Sequence, residues 1–419
     1  MRLFKPALTV ACTALSLFPL AGLIDGNGPP PTDYQSDVSR MRREISDLRG
    51  VTPAPSAEAA HSTAFASLLY RSASLSGNPG DLRVADSATG DAIRRVGPWD
   101  DLYLLKATLD FTLHRVTAAK RDLGMLRRGG DSVQVMTLRA DIDLQEGRYR
   151  EAKEGYQAAA ARGRSWDTLA RLAYLEAAMG ERAAADDLYQ QAQEELSAKE
   201  MRAYAWVELQ RGHLQLTQGR YAEARARYTR AARAYSGYWL VDAYIAELLG
   251  AEGKFDKAAS LYQSVIARAP RPEIRQALGD LYLFMGQPAL AKPWHDGALA
   301  GYLASVRQGE VQYYHHLATF FADVRQDGAE ALTWARRDLD LRDNFATRDA
   351  LAWALYRDGR FADALAAINL ALASGVKDAH LFFHAAMIHS AAGRVEEGRQ
   401  LLQRAATINP RYQDFHAHR

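Results

Sequence analysis

The 419-residue sequence predicts an all-α solenoid, a stack of helical hairpins, and three observations carry that prediction. A Gly-Arg/Lys-aromatic signature, with alanine three residues after the aromatic, recurs as GRYREA from Gly147, GRYAEA from Gly219, GKFDKA from Gly253 and GRFADA from Gly359. Small residues return at three sites per unit, for example Ala173, Ala185 and Ala192, or Ala352, Ala364 and Ala371. Bulky rings fall between them at helical spacing: Tyr156, Tyr189, Tyr228 and Tyr262. A period of roughly 34 residues marks one supersecondary unit that cannot bury its apolar face alone and must stack on its neighbours. The small residues stand where helix backbones cross, because large side chains there overpack the crossing. The glycine ends each first helix, since it tolerates positive φ.

Taken in order, Arg2 and Lys5 precede an apolar run, ALTVACTALSLFPLAG, of the length of a signal peptide's core and too short for a comfortable membrane span. Residues 1–25 are therefore expected to be a signal peptide, with an uncleaved membrane anchor as the alternative. Residues 26–57 read as linkers around a charged amphipathic helix at 33–50, and 58–99 as a degenerate hairpin broken at Asn78-Pro79-Gly80. From 100 to 412 one register gives unit starts at Asp100, Val133, Trp166, Ala205, Trp239, Pro272, Val311, Phe345 and Ala379, leaving 413–419 as a tail. Most spacings are 33 or 34, and two are 39. The Val311 unit lacks the glycine signature and carries extra residues near Asp327-Gly328, which predicts an irregular turn.

Over about Asp100 to Pro410 these coinciding small, aromatic and glycine positions resemble the tetratricopeptide repeat family, as do the unit-ending prolines Pro270 and Pro410. The resemblance implies a right-handed superhelix whose concave groove is lined by the first helix of each hairpin, chiefly through its second, fifth, ninth and twelfth positions. Carried onto this chain, the pattern places His315 and Thr319 in one unit, Asp349, Trp353 and Tyr356 in the next, and His380, Phe383 and Met387 in the last. Tyr174, Trp206 and His213 take similar places in the middle, beside Glu247 and Asp280. Aromatic anchors flanked by a few charges suit a protein or peptide partner. The family's basic and asparagine carboxylate clamp is absent, with Arg139 and Arg348 as isolated anchors. The seventh position of a unit, usually apolar in this family, is Lys106, Arg139 and Arg211 in three units, which predicts rotated helices or snorkelling stems.

Charge and motifs narrow the function. The balance of 52 basic and 50 acidic residues gives +2, and removal of Arg2 and Lys5 brings it to zero, with no basic tract to expect a nucleic-acid partner. The single cysteine, Cys12, lies in the expected signal, so the processed chain has no disulfide, thiol nucleophile or cysteine metal site, as suits a bacterial periplasm. No metalloprotease, hydrolase, P-loop or dinucleotide motif is present, so neither enzymatic activity nor a cofactor is expected. Histidines crowd the last third, and His380 and His384 share a helix face at a spacing open to metal ligation. That spacing supports a rival reading as a metal- or haem-handling protein; the plainer one packs His384 and His389 in the last hairpin and leaves the other histidines on the surface. The reading is a non-enzymatic periplasmic scaffold that binds a partner segment in its groove, with membrane contact only if the N-terminal segment stays uncleaved.

Overall fold

Helix follows helix along residues 30–416, the part of the chain that the computed structural model describes. The expected signal, 1–25, and the end of the tail lie outside those residues. Helix α1 (Asp33–Gly50) precedes ten hairpins. These are α2 (Glu58–Ser76) with α3 (Pro79–Val96), α4 (Asp100–Thr112) with α5 (Val116–Leu123), α6 (Val133–Gln145) with α7 (Tyr149–Arg162), α8 (Trp166–Met179) with α9 (Arg182–Glu194), and α10 (Met201–Leu216) with α11 (Tyr221–Ala234). The chain continues through α12 (Trp239–Ala251) with α13 (Phe255–Arg268), α14 (Pro272–Phe284) with α15 (Pro288–Arg307), α16 (Tyr314–Phe320) with α17 (Gly328–Leu341), α18 (Phe345–Arg357) with α19 (Phe361–Leu372), and α20 (Ala379–Ala391) with α21 (Val395–Ile408). No strand occurs among the described residues.

The recurring Gly-Arg/Lys pair has a local cause. In the GRYREA copy, Gly147 takes φ +72° and the N–H of Arg148 bonds the Asp143 carbonyl, and the same six-residue closure recurs from Arg220 to Gln215, Lys254 to Leu249 and Arg360 to Leu355. This is the Schellman ending, which satisfies the last carbonyls of the first helix while turning the chain into the second. Seven of the nine expected unit starts are helix starts. The other two follow the 39-residue spacings: α10 begins at Met201, and α15 runs to 20 residues and delays α16 to Tyr314. In place of a glycine turn, α16 leads into a π-helical turn, Phe321–Arg325, closed by Gln326 at φ +53°.

The core lies between helices and between hairpins. Ala173, Ala185, Ala192, Ala352, Ala364 and Ala371 are wholly buried at the crossings, and Tyr156, Tyr189, Tyr228 and Tyr262 fill the gaps between successive units. First helices of neighbouring hairpins touch directly, as α10 does α12 and α16 and α18 do their successors, whereas second helices touch less, so the stack curves with its first helices inside. Arg211 does not snorkel: it is buried, forks onto Asp186 at 2.8 Å through two nitrogens and reaches Gln193 at 2.7 Å. Lys106 bridges Asp86 and Asp110. Nor are the remaining histidines all superficial, since His295 and His316 are buried too.

The curvature brings one coil of the solenoid against the next. Arg271 donates to the Gly77 carbonyl at 2.7 Å, 194 residues away; the Phe345 N–H donates to the Tyr149 hydroxyl at 2.8 Å, 196 away; the Tyr221 hydroxyl donates to Asp414 at 3.0 Å, 193 away. Asp33 and Ser236 exchange bonds at a separation of 203, and Tyr34 stacks on Tyr238, so α1 is docked against the middle hairpins. Separations of 193 to 203 correspond to about six units, and the hairpin turns of one coil seat on the inter-hairpin connections of the next. Gly147 sits at such a seat: a Cβ there would lie 2.6 Å from the Asp343 carbonyl oxygen, while at Gly359 it would meet nothing within 4 Å.

Candidate partner-binding surface

Four successive first helices build a cleft of about 710 Å³, open to solvent, on the inner face. Trp206 and Gln210 come from α10, Trp239, Tyr244 and Glu247 from α12, Arg271 from just before α14 and Ile274 from its first turn, and His316 from α16. The floor is held from below. Arg271, almost wholly buried, lies 5.3 Å over the Trp239 ring and donates to Gly77 and to Glu273 at 2.5 Å, and the Trp239 indole N–H donates to the Leu75 carbonyl at 3.3 Å. Glu247 is paired with His416, Nδ1 to Oε1 at 3.0 Å. The result is an apolar, aromatic trough whose charges are already partnered, suited to an apolar side chain with polar backbone on either side.

A second cleft, of about 650 Å³, opens between coils, where Tyr174, Tyr189 and Gln210 face Phe345, Lys377 and Asp378. Lys377 is seated there by its N–H bond to the Ala178 carbonyl at 2.8 Å.

The groove positions expected from the sequence fall in four places. Trp206 lines the middle cleft and Tyr174 the inter-coil cleft, where Tyr174 is itself buried and burial raises its phenol. His315, on α16, has its Nδ1 3.1 Å from buried Asp338 and also favours the charged form of the Asp349 carboxyl. Asp349, Trp353, Tyr356, His380, Phe383 and Met387 come together at the C-terminal end of the inner face, but line neither of these two clefts. Trp353 belongs to the core: its indole lies between Tyr356, at 4.8 Å and 18°, and His384, at 4.0 Å and 9°, and donates to Asp323 at 2.8 Å. Asp349 is buried against His384, while Tyr356, His380, Phe383 and Met387 keep part of their surface in solvent. Arg348 is spent on Asp343, at 2.5 and 2.7 Å, and Arg139 on the Gly130 carbonyl. Trp239 and Tyr244 sit at the first and sixth positions of α12 and Arg271 precedes a helix, so none of the three falls at the second, fifth, ninth or twelfth positions that the repeat pattern assigns to the groove.

Burial sets the protonation of the C-terminal cluster. It pushes His380 down to about 3 and His384 to about 4, leaving both imidazoles neutral, and pushes the Asp349 carboxyl up to about 7.

A Tetratricopeptide repeat family model matches residues 215–281, from the end of α10 into α14. No curated protein matches the chain. Among solved structures the chain is similar to human IFIT1, a dimer with PPP-AAAA, at 11% identity over 89% of this chain and 86% of that one with a TM-score of 0.44. It is similar to Cut9-Hcn1, an APC/C hetero-tetramer, at 16% over 90% of both chains with a TM-score of 0.36. A tetratricopeptide repeat protein from Parabacteroides merdae is similar at 20% over 59% of this chain and 94% of that one, with a TM-score of 0.36. These likenesses concern fold alone. The chain is thus an all-α superhelical solenoid of stacked hairpins, of which residues 215–281 are similar to the tetratricopeptide repeat.

Proposed function

We propose that this protein is a non-enzymatic interaction scaffold that holds a segment of a partner protein in the groove of its first helices, in the bacterial periplasm. The middle cleft carries the reading. Three consecutive repeats line one open trough with half-buried Trp206 and with the buried Tyr244 and Ile274, on a floor fixed by Arg271 and Trp239. A preorganised aromatic pocket of this kind concentrates binding energy in one or two anchors of the partner. The periplasmic part of the proposal rests on Arg2, Lys5 and the apolar run that follows them.

Panning a displayed random-peptide library on the purified chain tests the groove. Peptides carrying a large apolar residue should be enriched, and Trp206→Ala, at a partly exposed position, should weaken their binding by roughly 2 kcal/mol or more while the helical spectrum persists. Absence of enrichment, or binding indifferent to Trp206→Ala and to Tyr244→Ala alike, would reject the cleft as the site.

A further inference from the structure

We infer that Asp349, His380 and His384 form a binding site for one divalent transition-metal ion of the zinc class, built between the first helices of the last two hairpins. Each of the three side chains brings one ligand atom into a group in which all lie within 4.8 Å of one another. His380 and His384 stand one turn apart on the same face of α20, and Asp349 enters from α18, the equivalent helix one repeat earlier. The His384 Nδ1 lies 3.0 and 3.1 Å from the two Asp349 oxygens. Two ligands held 2.0–2.1 Å from a tetrahedral zinc are roughly 3.3 Å apart, so an ion takes the place of a hydrogen bond without forcing these groups apart. His380 completes the set by rotating a partly exposed side chain through at most about 1.5 Å, which leaves the open side of the ion to water.

The surroundings hold the ligands ready. The His384 ring is fixed by its stack on Trp353 at 4.0 Å, with the His380 ring edge-on at the same distance. The Asp378 side chain accepts the Leu381 N–H at 2.8 Å and fixes the first turn of α20, from which His380 projects. Two imidazoles and one carboxylate suit zinc, cobalt or iron(II), and do not suit calcium or magnesium, which take oxygen ligands. Bound there, the ion clamps α18 to α20 and rigidifies the C-terminal end of the solenoid, at a place separate from the middle cleft.

The test uses the full chain without a histidine tag, stripped with chelator and titrated with Zn²⁺ and, separately, with Co²⁺. One ion per chain should bind at micromolar concentration or below, Co²⁺ should develop visible absorption, and the melting temperature should rise by a few degrees. His380→Ala and Asp349→Asn should each keep the helical spectrum and weaken binding at least tenfold, while His61→Ala, on α2, should leave it unchanged. The absence of saturable binding by either ion, or binding that survives both His380→Ala and Asp349→Asn, overturns the site.

Discussion

Replacing one hairpin-turn glycine by alanine should cost far more at Gly147 than at Gly359, although both take the same backbone conformation, φ +72° and +76°. The shared part is the left-handed conformation, which costs alanine roughly 1–2 kcal/mol at either site. At Gly359 nothing lies within 4 Å of the new Cβ, so that is the whole effect. At Gly147 the Cβ would stand 2.6 Å from the Asp343 carbonyl oxygen, and ordinary contact begins at 3.4 Å, so the facing coil must retreat by about 0.8 Å. The retreat strains three bonds at that seat: Phe345 N–H to the Tyr149 hydroxyl, Asn344 to the Gln145 carbonyl, and Arg342 to the Gln145 side chain. At about 0.5–1.5 kcal/mol each, their loss adds roughly 1.5–4.5 kcal/mol. Urea unfolding of the two variants reads the difference, and amide exchange at Phe345 localises it, faster in Gly147→Ala and unchanged in Gly359→Ala. Equal destabilisation by the two substitutions, with Phe345 equally protected, would refute the coil-on-coil seat.

Trp353→Ala should destabilise the chain by about 3–5 kcal/mol, because it empties a packed site, and Trp353→Phe by about 1–3 kcal/mol, because it leaves Asp323 without its indole donor; a loss below about 1 kcal/mol for the alanine variant in a denaturant titration would remove Trp353 from the core. Burial alone would raise the Asp338 carboxyl, yet Arg342 and His315 outweigh it and hold the group well below the usual carboxylate range. A carboxyl depressed in the folded state contributes stability above its unfolded value, near 3.8, and loses that contribution as pH falls below it, so the melting temperature of the parent chain should drop more steeply below about pH 4 than that of Asp338→Asn. Superimposable acid limbs would show that the pair does not act this way. A reporter active only after export, fused to residues 1–35, should be active, and charged replacements at Leu8, Val10, Leu15 and Leu17 should silence it; an inactive fusion would remove the periplasmic proposal.

The hairpins were legible because their causes are local. Glycine and arginine in Gly147-Arg148 close the first helix by themselves, and Ala173 or Ala352 marks a crossing whatever lies farther away. The contacts between coils left no such trace, since Tyr149 and Phe345 are separated by 196 residues and each also fits its own repeat. Arg211 departed from the repeat pattern visibly, but its partner Asp186 lies 25 residues upstream on another helix and nothing in the sequence pairs them. The C-terminal cluster was half legible. His380 and His384 share a helix face by spacing, whereas Asp349 joins them only when two adjacent repeats are laid side by side and their sixth and fifth positions are seen to meet.

Coil-on-coil seating gives this solenoid a fixed gauge. In a linear array whose units touch only their neighbours, a repeat can be gained or lost with little consequence beyond its own interfaces. Here the loss of one hairpin between α8 and α13 would carry the facing pairs that span it out of alignment by a whole unit, setting Tyr149 against the wrong connection and Arg271 away from Gly77. The repeat count is thereby part of the tertiary structure. It also divides assembly in time: each hairpin can form from local contacts, but the seats exist only after about six have stacked, so winding the second coil onto the first is a late step and the one that makes distant repeats melt together.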